Sequence, residues 1–225
     1  MSTDPDRWMV PMKVEMETLK AKHTWDLVKL PPGVNVMDSM WVYDIKQDGK
    51  GNWIKDKARV IGKGYTQQLG INYNKRWAGI TRLELVWMTA AVVAKHNLKL
   101  WWIDFVRAYL NSLTKEDIYT KQPKGFIKPG YEDHVCKLIH MIYGTMQEGH
   151  DWYETLSATF NKIRYTTSCV DPCVHFKKWM GTIRSLTPIL TISLELQIHT
   201  KRVRRERTRL ARSGRLRMWG RWNTS

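Results

Sequence analysis

The residues best placed for chemistry begin with a single carboxylate. Leu98 to Ile103 is a short apolar run, rich in Trp and Ile, that reads as a buried strand and ends on Asp104. An aspartate at the C-terminal end of a buried strand is where α/β proteins place metal ligands and catalytic carboxylates; the plainer alternative is a strand-end cap or an ion pair. The second group is cationic. Lys55, Lys57, Arg59 and Lys63 punctuate one β-rich run, where they either face phosphates or protect a solvated strand edge by charge. The seven His show no ligand spacing, and Cys169 and Cys173, at i and i+4, lack partners for zinc. With Cys136 they make three cysteines, too few for a disulfide framework and without a Cys-x-x-Cys pair, so reduced thiols in an intracellular protein are expected.

Several elements must position these groups. Trp8, Met12, Met16 and Leu19 recur at helical spacing, and Pro31-Pro32-Gly33 breaks the pattern. Met40–Ile45 and Trp53–Ile61 flank Asp48-Gly49, a hairpin signal in which Lys50 and Gly51 lengthen the turn. Leu83, Val86, Trp87, Ala90 and Val93 form a second helical stripe, and Trp152, Leu156, Phe160 and Ile163 a third. Val135–Tyr143, closed by Gly144, and Val170–Phe176 read as strands, and Ser185–Ile198 alternates like one. Of the 12 Trp, positions 8, 25, 87, 101 and 152 fall on apolar stripes and read as core; Trp219 and Trp222 could stack on bases.

Composition separates two regions. The chain has 225 residues, 43% hydrophobic and 26% charged, enough for a core and inconsistent with a wholly disordered protein. Its net charge of +16 points to a polyanionic partner, most often nucleic acid. The last 45 residues hold 11 Lys/Arg against Glu195 and Glu206, a net +9, and the first 180 carry the remaining +7. Residues 202–221 contain nine Arg and no Asp, a run without a packable face that is expected to be solvated or disordered. No apolar run approaches 18 residues, so no membrane span is expected, and the N-terminus lacks a signal-peptide core. The location expected is intracellular, cytoplasmic or nuclear, and not secreted.

Collinear motifs then define a resemblance. His23-Thr-Trp-Asp-Leu-Val28 with Leu30-Pro31, Asp48-Gly49, Lys57-Ala-Arg-Val-Ile-Gly-Lys-Gly-Tyr-Thr-Gln67 and Gly70-Ile-Asn-Tyr73 come first. Asp104-Phe-Val-Arg-Ala-Tyr-Leu-Asn111, Ile118-Tyr119, Gln122-Pro-Lys-Gly-Phe126, Val135-Cys-Lys-Leu138, Tyr143-Gly-Thr-Met-Gln147, Trp152 and Asp171-Pro-Cys173 follow. In this order they resemble the reverse transcriptase (RNA-directed DNA polymerase) of copia-type LTR retrotransposons over residues 8–178, with 179–225 a non-homologous Arg-rich tail.

The resemblance implies an α+β fold, the fingers and partial palm of a polymerase right hand, followed by a disordered basic tail. By position Asp104 resembles the first metal-binding, catalytic aspartate. Tyr109 resembles the bulky residue set against the sugar 2′ position, and Gln147 the glutamine near the incoming nucleotide; on its own Gln147 reads as an exposed loop residue. Lys57 and Arg59 resemble fingers residues that face template or triphosphate. The implied cofactor is Mg²⁺. The implied partners are an RNA/DNA primer–template and dNTP, with integrase and RNase H domains in the parent polyprotein.

One motif is missing. The family's second metal motif, Tyr-x-Asp-Asp, is expected shortly after Asp171-Pro-Cys173, yet Asp171 is the last aspartate of the chain. One carboxylate does not hold two divalent cations, each of which needs several oxygen ligands. A palm without that hairpin is expected to lose central strands and leave the Asp104 strand unpartnered. The loss of the motif coincides with the onset of Arg excess near residue 180, as a shift of reading frame or a faulty exon junction would produce. Smaller departures accompany it. Asn72 stands where the family has Asp, Trp77 for Phe, Gly79 for Pro, Trp87 for Arg and Thr145-Met146 for Leu-Lys. Nor does the length leave room for a thumb or RNase H domain. Three readings follow: an inactive polymerase fragment, a non-catalytic nucleic-acid-binding remnant, or a pseudogene product.

Overall fold

A computed structural model of the chain describes residues 5–70, 73, 79, 81–95, 99–179, 182–189, 192–197 and 216–222. They fall into two compact units, Met1–Arg76 with Ser112–Asp151 and Trp77–Asn111 with Trp152–Ser225.

In the first unit, α1 (Pro5–Ala21) buries Trp8, Met12, Met16 and Leu19, the stripe the spacing marks. It lies against the ribbon of β3 (Ser39–Gln47) and β4 (Trp53–Gly62), paired antiparallel with Tyr43 opposite Ala58 and Trp41 opposite Val60. Residues directly opposite share a face. On this one, Ala58 packs with Trp8 and Met12, Tyr43 meets the Trp8 ring at 4.7 Å, and Arg7 Nε and Nη2 both donate to Asp56 at 2.7 Å. The ribbon turns on Asp48, whose Oδ1 accepts the Lys50 and Asn52 amides at 2.8 and 2.9 Å, while Gly51 takes φ +84°.

The rest of this unit is a four-stranded sheet. Its order is β1 (Trp25–Lys29), β7 (His134–Leu138), β6 (Tyr119–Thr120), β2 (Val36–Met37). The strand expected over Val135–Tyr143 therefore stops at Leu138. Ile139 and His140 turn their amides to the Thr24 carbonyl at 2.9 and 3.1 Å, and Met141 donates to Ser112 at 2.9 Å, so these donors leave the ladder.

The second unit holds α2 (Leu83–Lys95), the greater part of α3 (Glu148–Lys162) and a six-stranded antiparallel sheet. The sheet runs β12 (Leu216–Trp222), β5 (Lys99–Phe105), β11 (Ile192–Gln197), β10 (Thr182–Ile189), β9 (His175–Trp179), β8 (Thr166–Thr167). Three expectations change here. The Asp104 strand is not orphaned, because β10 and β11 form a hairpin beside it. Ladder pairing needs backbone donors and strand-permissive side chains, which Thr182–Gln197 supplies without any Asp-Asp pair. The basic tail is not wholly without structure, because Leu216–Trp222 takes the other edge of β5; its Leu, Met and Trp side chains favour a strand despite the arginines. The strand expected from Val170 starts at His175, because Asp171 caps a turn by accepting the Cys173 amide at 2.7 Å.

Trp87 is not core. It is 66% exposed on α2, while Val93 is buried; apolar residues occupy more than one face of this helix, so periodicity alone did not select the packed one. Trp25 is half-buried, and Trp8 and Trp152 are buried as expected. Asn72, Trp77, the Trp101, Trp219 and Trp222 side chains, and tail residues 199–215 lie outside the described residues.

Candidate functional site

Asp104 is the penultimate residue of β5 and is half-buried. Its register neighbours are Ile192 on β11 and Arg217 on β12. Beyond it the chain tightens into a short 3-10 turn, Ala108–Asn111, entered through Arg107 at φ +53°. The Asn111 amide nitrogen holds that turn by donating to the Val106 and Arg107 carbonyls at 3.2 and 3.3 Å. Tyr109 is half-buried and packs on the cluster of Phe105, Ala108, Trp152, Leu156, Phe160 and Tyr165, so its ring is braced by the core below the loop. The strand and turn thus bring Asp104 and Tyr109 to one end of β5.

A pair of Mg²⁺ ions requires a second carboxylate group beside the first. Neither register neighbour of Asp104 is acidic. Among the described residues, the cluster of three His, Cys, Asp or Glu ligands is His150, Asp151 and Glu154 on α3, and it excludes Asp104. Among the described residues, the donor set around Asp104 does not fit a two-metal centre.

Lys57, Arg59 and Gln147 belong to the first unit. Alternation on β4 sends Ala58 under α1 and buries Val60 on the same face, leaving Lys57 and Arg59 on the opposite face with Lys55. Across the ribbon, Lys46 stands opposite Lys55 and Asp44 opposite Lys57. This is a basic face, not only a basic edge. Burial holds the Lys57 ammonium below the usual lysine range, and Arg59 adds to that. The Arg59 guanidinium lies over the Tyr143 ring, 5.4 Å from its centre, four residues before Gln147.

Gln147 is not an exposed loop residue; it is 1% exposed. Its Oε1 accepts from Gln67 Nε2 at 3.2 Å, and its Nε2 donates to Glu116 Oε2 at 2.9 Å. Gln67 Oε1 accepts the Met146 amide at 2.9 Å. The 143–147 segment also docks onto the end of β4. Gly62 and Gly64 donate to the Tyr143 and Gly144 carbonyls at 2.7 and 3.0 Å. Gly144, at φ +86°, donates to Glu148 Oε2 at 2.6 Å, and burial pushes that carboxyl up to about 7.

Gln67, Glu116, Gly144 and Glu148 carry this arrangement without having been singled out individually as site residues. Gln67 lies inside the Lys57–Gln67 motif, but its type and position alone gave no sign of burial. Two of the cysteines have no reactive surroundings: burial pushes the Cys136 and Cys173 thiols up to about 12 and 11. At Gly79, where the resemblance expects Pro, an added Cβ would lie 2.2 Å from the Tyr153 ring.

The family model described as reverse transcriptase (RNA-dependent DNA polymerase) matches residues 22–188, and the chain belongs to this family. Its relatives are of the copia type. It is 31% identical over 176 residues, 78% of this chain, to the retrovirus-related Pol polyprotein from transposon TNT 1-94 of Nicotiana tabacum. It is 29% identical over 167 residues, 74% of this chain, to the corresponding polyproteins from transposons RE2 and RE1 of Arabidopsis thaliana. The chain covers only 13%, 12% and 11% of these relatives' lengths. No helix among the described residues is long and apolar enough to cross a membrane.

Proposed function

We propose that this chain is a portion of a retrotransposon RNA-directed DNA polymerase that binds nucleic acid and does not extend a primer. The supporting observation is the neighbourhood of Asp104: the hairpin beside it brings Ile192 into register and no aspartate, so a two-metal centre lacks its second half. In this reading the first unit contains the fingers, with Lys57 and Arg59 facing template or triphosphate, and β5 belongs to the palm. Tyr109 lies against the sugar of an incoming dNTP, and Gln147 is near the nucleotide. Residues 8–178 are the polymerase part and 179–225 the tail, into whose first ten residues the family match still runs. A complete polymerase site would hold Mg²⁺, which would supply charge neutralisation at the triphosphate and acidify the primer 3′-hydroxyl; of such a ligand set this chain would contribute Asp104.

The test is Mg²⁺-dependent primer extension on an RNA template, with Asp104→Asn as control. Neither protein is expected to extend. Extension by the parent chain that disappears in the variant would overturn the inactive reading.

The family match ends at residue 188, before the Arg-rich run, which favours an origin of the tail in a shifted frame or a faulty exon junction. Translating the parent nucleic acid in the other two frames beyond codon 180 is expected to yield a Tyr-x-Asp-Asp. Its absence from both frames would refute that origin.

A further inference from the structure

The polarity of the buried amide chain is determined at both ends. A backbone N–H only donates, so the group of Gln67 facing Met146 N is its carbonyl oxygen. Gln67 therefore presents its NH₂ to Gln147, and Gln147 must answer with Oε1. That leaves the NH₂ of Gln147 toward Glu116, whose oxygen accepts. Glu116 is itself held, because its amide donates to Thr114 Oγ1 at 3.2 Å and that hydroxyl donates back to the Glu116 carbonyl at 2.9 Å. Gln67 and Gln147 are 7% and 1% exposed, so bulk water does not scramble the arrangement. A backbone donor at one end and a carboxylate at the other select the same one of the two amide flips at Gln147.

We propose that Gln67 and Glu116 are positioning residues that set the amide flip of Gln147 through a directional hydrogen-bond relay. They thereby fix the orientation in which Gln147 is held at the start of α3. The relay stands on the geometry alone; its bearing on nucleotide contact rests on the function proposed above. The segments it joins are the one after the basic ribbon (Gln67), the loop before β6 (Glu116) and the N-terminus of α3 (Gln147).

A relay makes residues that do not touch depend on each other in a signed way. Gln67→Glu still accepts the Met146 amide but turns an oxygen toward Gln147. Gln147 must then flip and present its own oxygen to Glu116, placing acceptor against acceptor. Glu116→Gln removes that conflict, because residue 116 then donates to the flipped amide.

The experiment is a thermal-unfolding cycle at pH 7.5 on the full chain. The expected result is that Gln67→Glu lowers Tm by about 5 °C or more, Glu116→Gln alone changes little, and the double variant recovers most of the loss. Repeating the cycle with Gln147→Leu separates a relay from direct repulsion between carboxylates. Coupling between positions 67 and 116 is expected to vanish there; coupling that persists without Gln147, or additivity with it, overturns the proposal. Should Gln67→Glu fail to fold, side-chain amide NMR of the parent protein decides. Slowly exchanging NH₂ signals for Gln67 and Gln147, with the Gln147 signal shifted by Glu116→Gln, are expected, and fast-exchanging signals refute the relay. A negative primer-extension or nucleotide-titration result would bear on the proposed function and leave this cycle unaffected.

Discussion

The amide of Gly64 donates to the carbonyl of Gly144 at 3.0 Å, an approach so close that a Cβ on Gly64 would lie 2.1 Å from that oxygen. A Cβ on Gly144 would in turn lie 2.3 Å from the Gly62 carbonyl oxygen, at φ +86°. Two backbones meet here with no room for a side chain on either, joining the end of β4 to the turn that carries Gln147. Both contacts are to backbone, which does not swing away. Gly64→Ala and Gly144→Ala should each cost about 2–4 kcal/mol, read as loss of midpoint in urea unfolding. A cost below about 0.5 kcal/mol would show that the two segments separate freely.

Glu148 makes the stability of this turn depend on pH. Its carboxyl titrates near 7 in the folded chain, because burial outweighs the hydrogen bond from Gly144. The folded state therefore holds the proton more tightly than the unfolded one, whose glutamate titrates near 4.3. The contribution is fully present below about pH 4.3 and is lost as pH rises through 7. Glu148→Gln keeps an acceptor for Gly144 and removes the titration. It is expected to raise stability at pH 8 by about 2 kcal/mol and to change it little at pH 4. Parallel pH profiles for the two proteins would contradict the assignment.

His175 acts in the opposite direction. It is fully buried on β9, with its ring edge-on to Phe160 at 4.9 Å, Nδ1 beside Thr167 Oγ1 at 3.2 Å, and Nε2 without a partner among the described residues. Burial holds its pKa below the usual value, so the unfolded chain binds the proton more readily. The stability this gives is full above about pH 6.5 and is lost as pH falls toward the lower folded value. Measured on the Glu148→Gln background, His175→Phe should flatten the acid side of the stability profile; an unchanged acid limb would exclude His175 as its source.

Gly79→Pro restores the residue the family expects and places a ring where Tyr153 stands, with Cδ2 of that tyrosine 2.2 Å from the new Cβ. It should lower stability by about 2 kcal/mol or more. Gly79→Pro with Tyr153→Ala should cost less than the two single changes added together. Strict additivity would mean that the two positions do not compete for space.

Nucleic-acid binding should weaken steeply with salt. Neutralising Lys55, Lys57 and Arg59 together should reduce the slope of log K against log salt by about 2–3, and deleting residues 199–225 should flatten it further. A slope that survives the ribbon changes and falls only with the tail would move the anionic contact away from β4.

Much of this protein was legible from its linear order. Helix α1 and the β3–β4 ribbon follow from apolar spacing and turn chemistry, because their partners are close in the chain and each pattern has one buried face. The collinear motifs named the family for the same reason: they are local strings. The missing Asp-Asp was visible as an absence. Other features depended on distant partners. Val135–Tyr143 reads as one strand until Thr24 and Ser112 draw its amides away. Trp87 is apolar on a helix with apolar residues on several faces, and only packing decides which face is covered. The hairpin beside Asp104 and the strand from the basic tail form because backbone ladders tolerate many side chains, so composition misjudged them. Gln147 makes the same point at one residue. Its identity came from a motif, whereas its burial and its one amide flip come from Gln67, 80 positions away, and Glu116, 31 away. Hydrogen-bond direction is a property of which donors and acceptors meet, and only the folded chain brings them together.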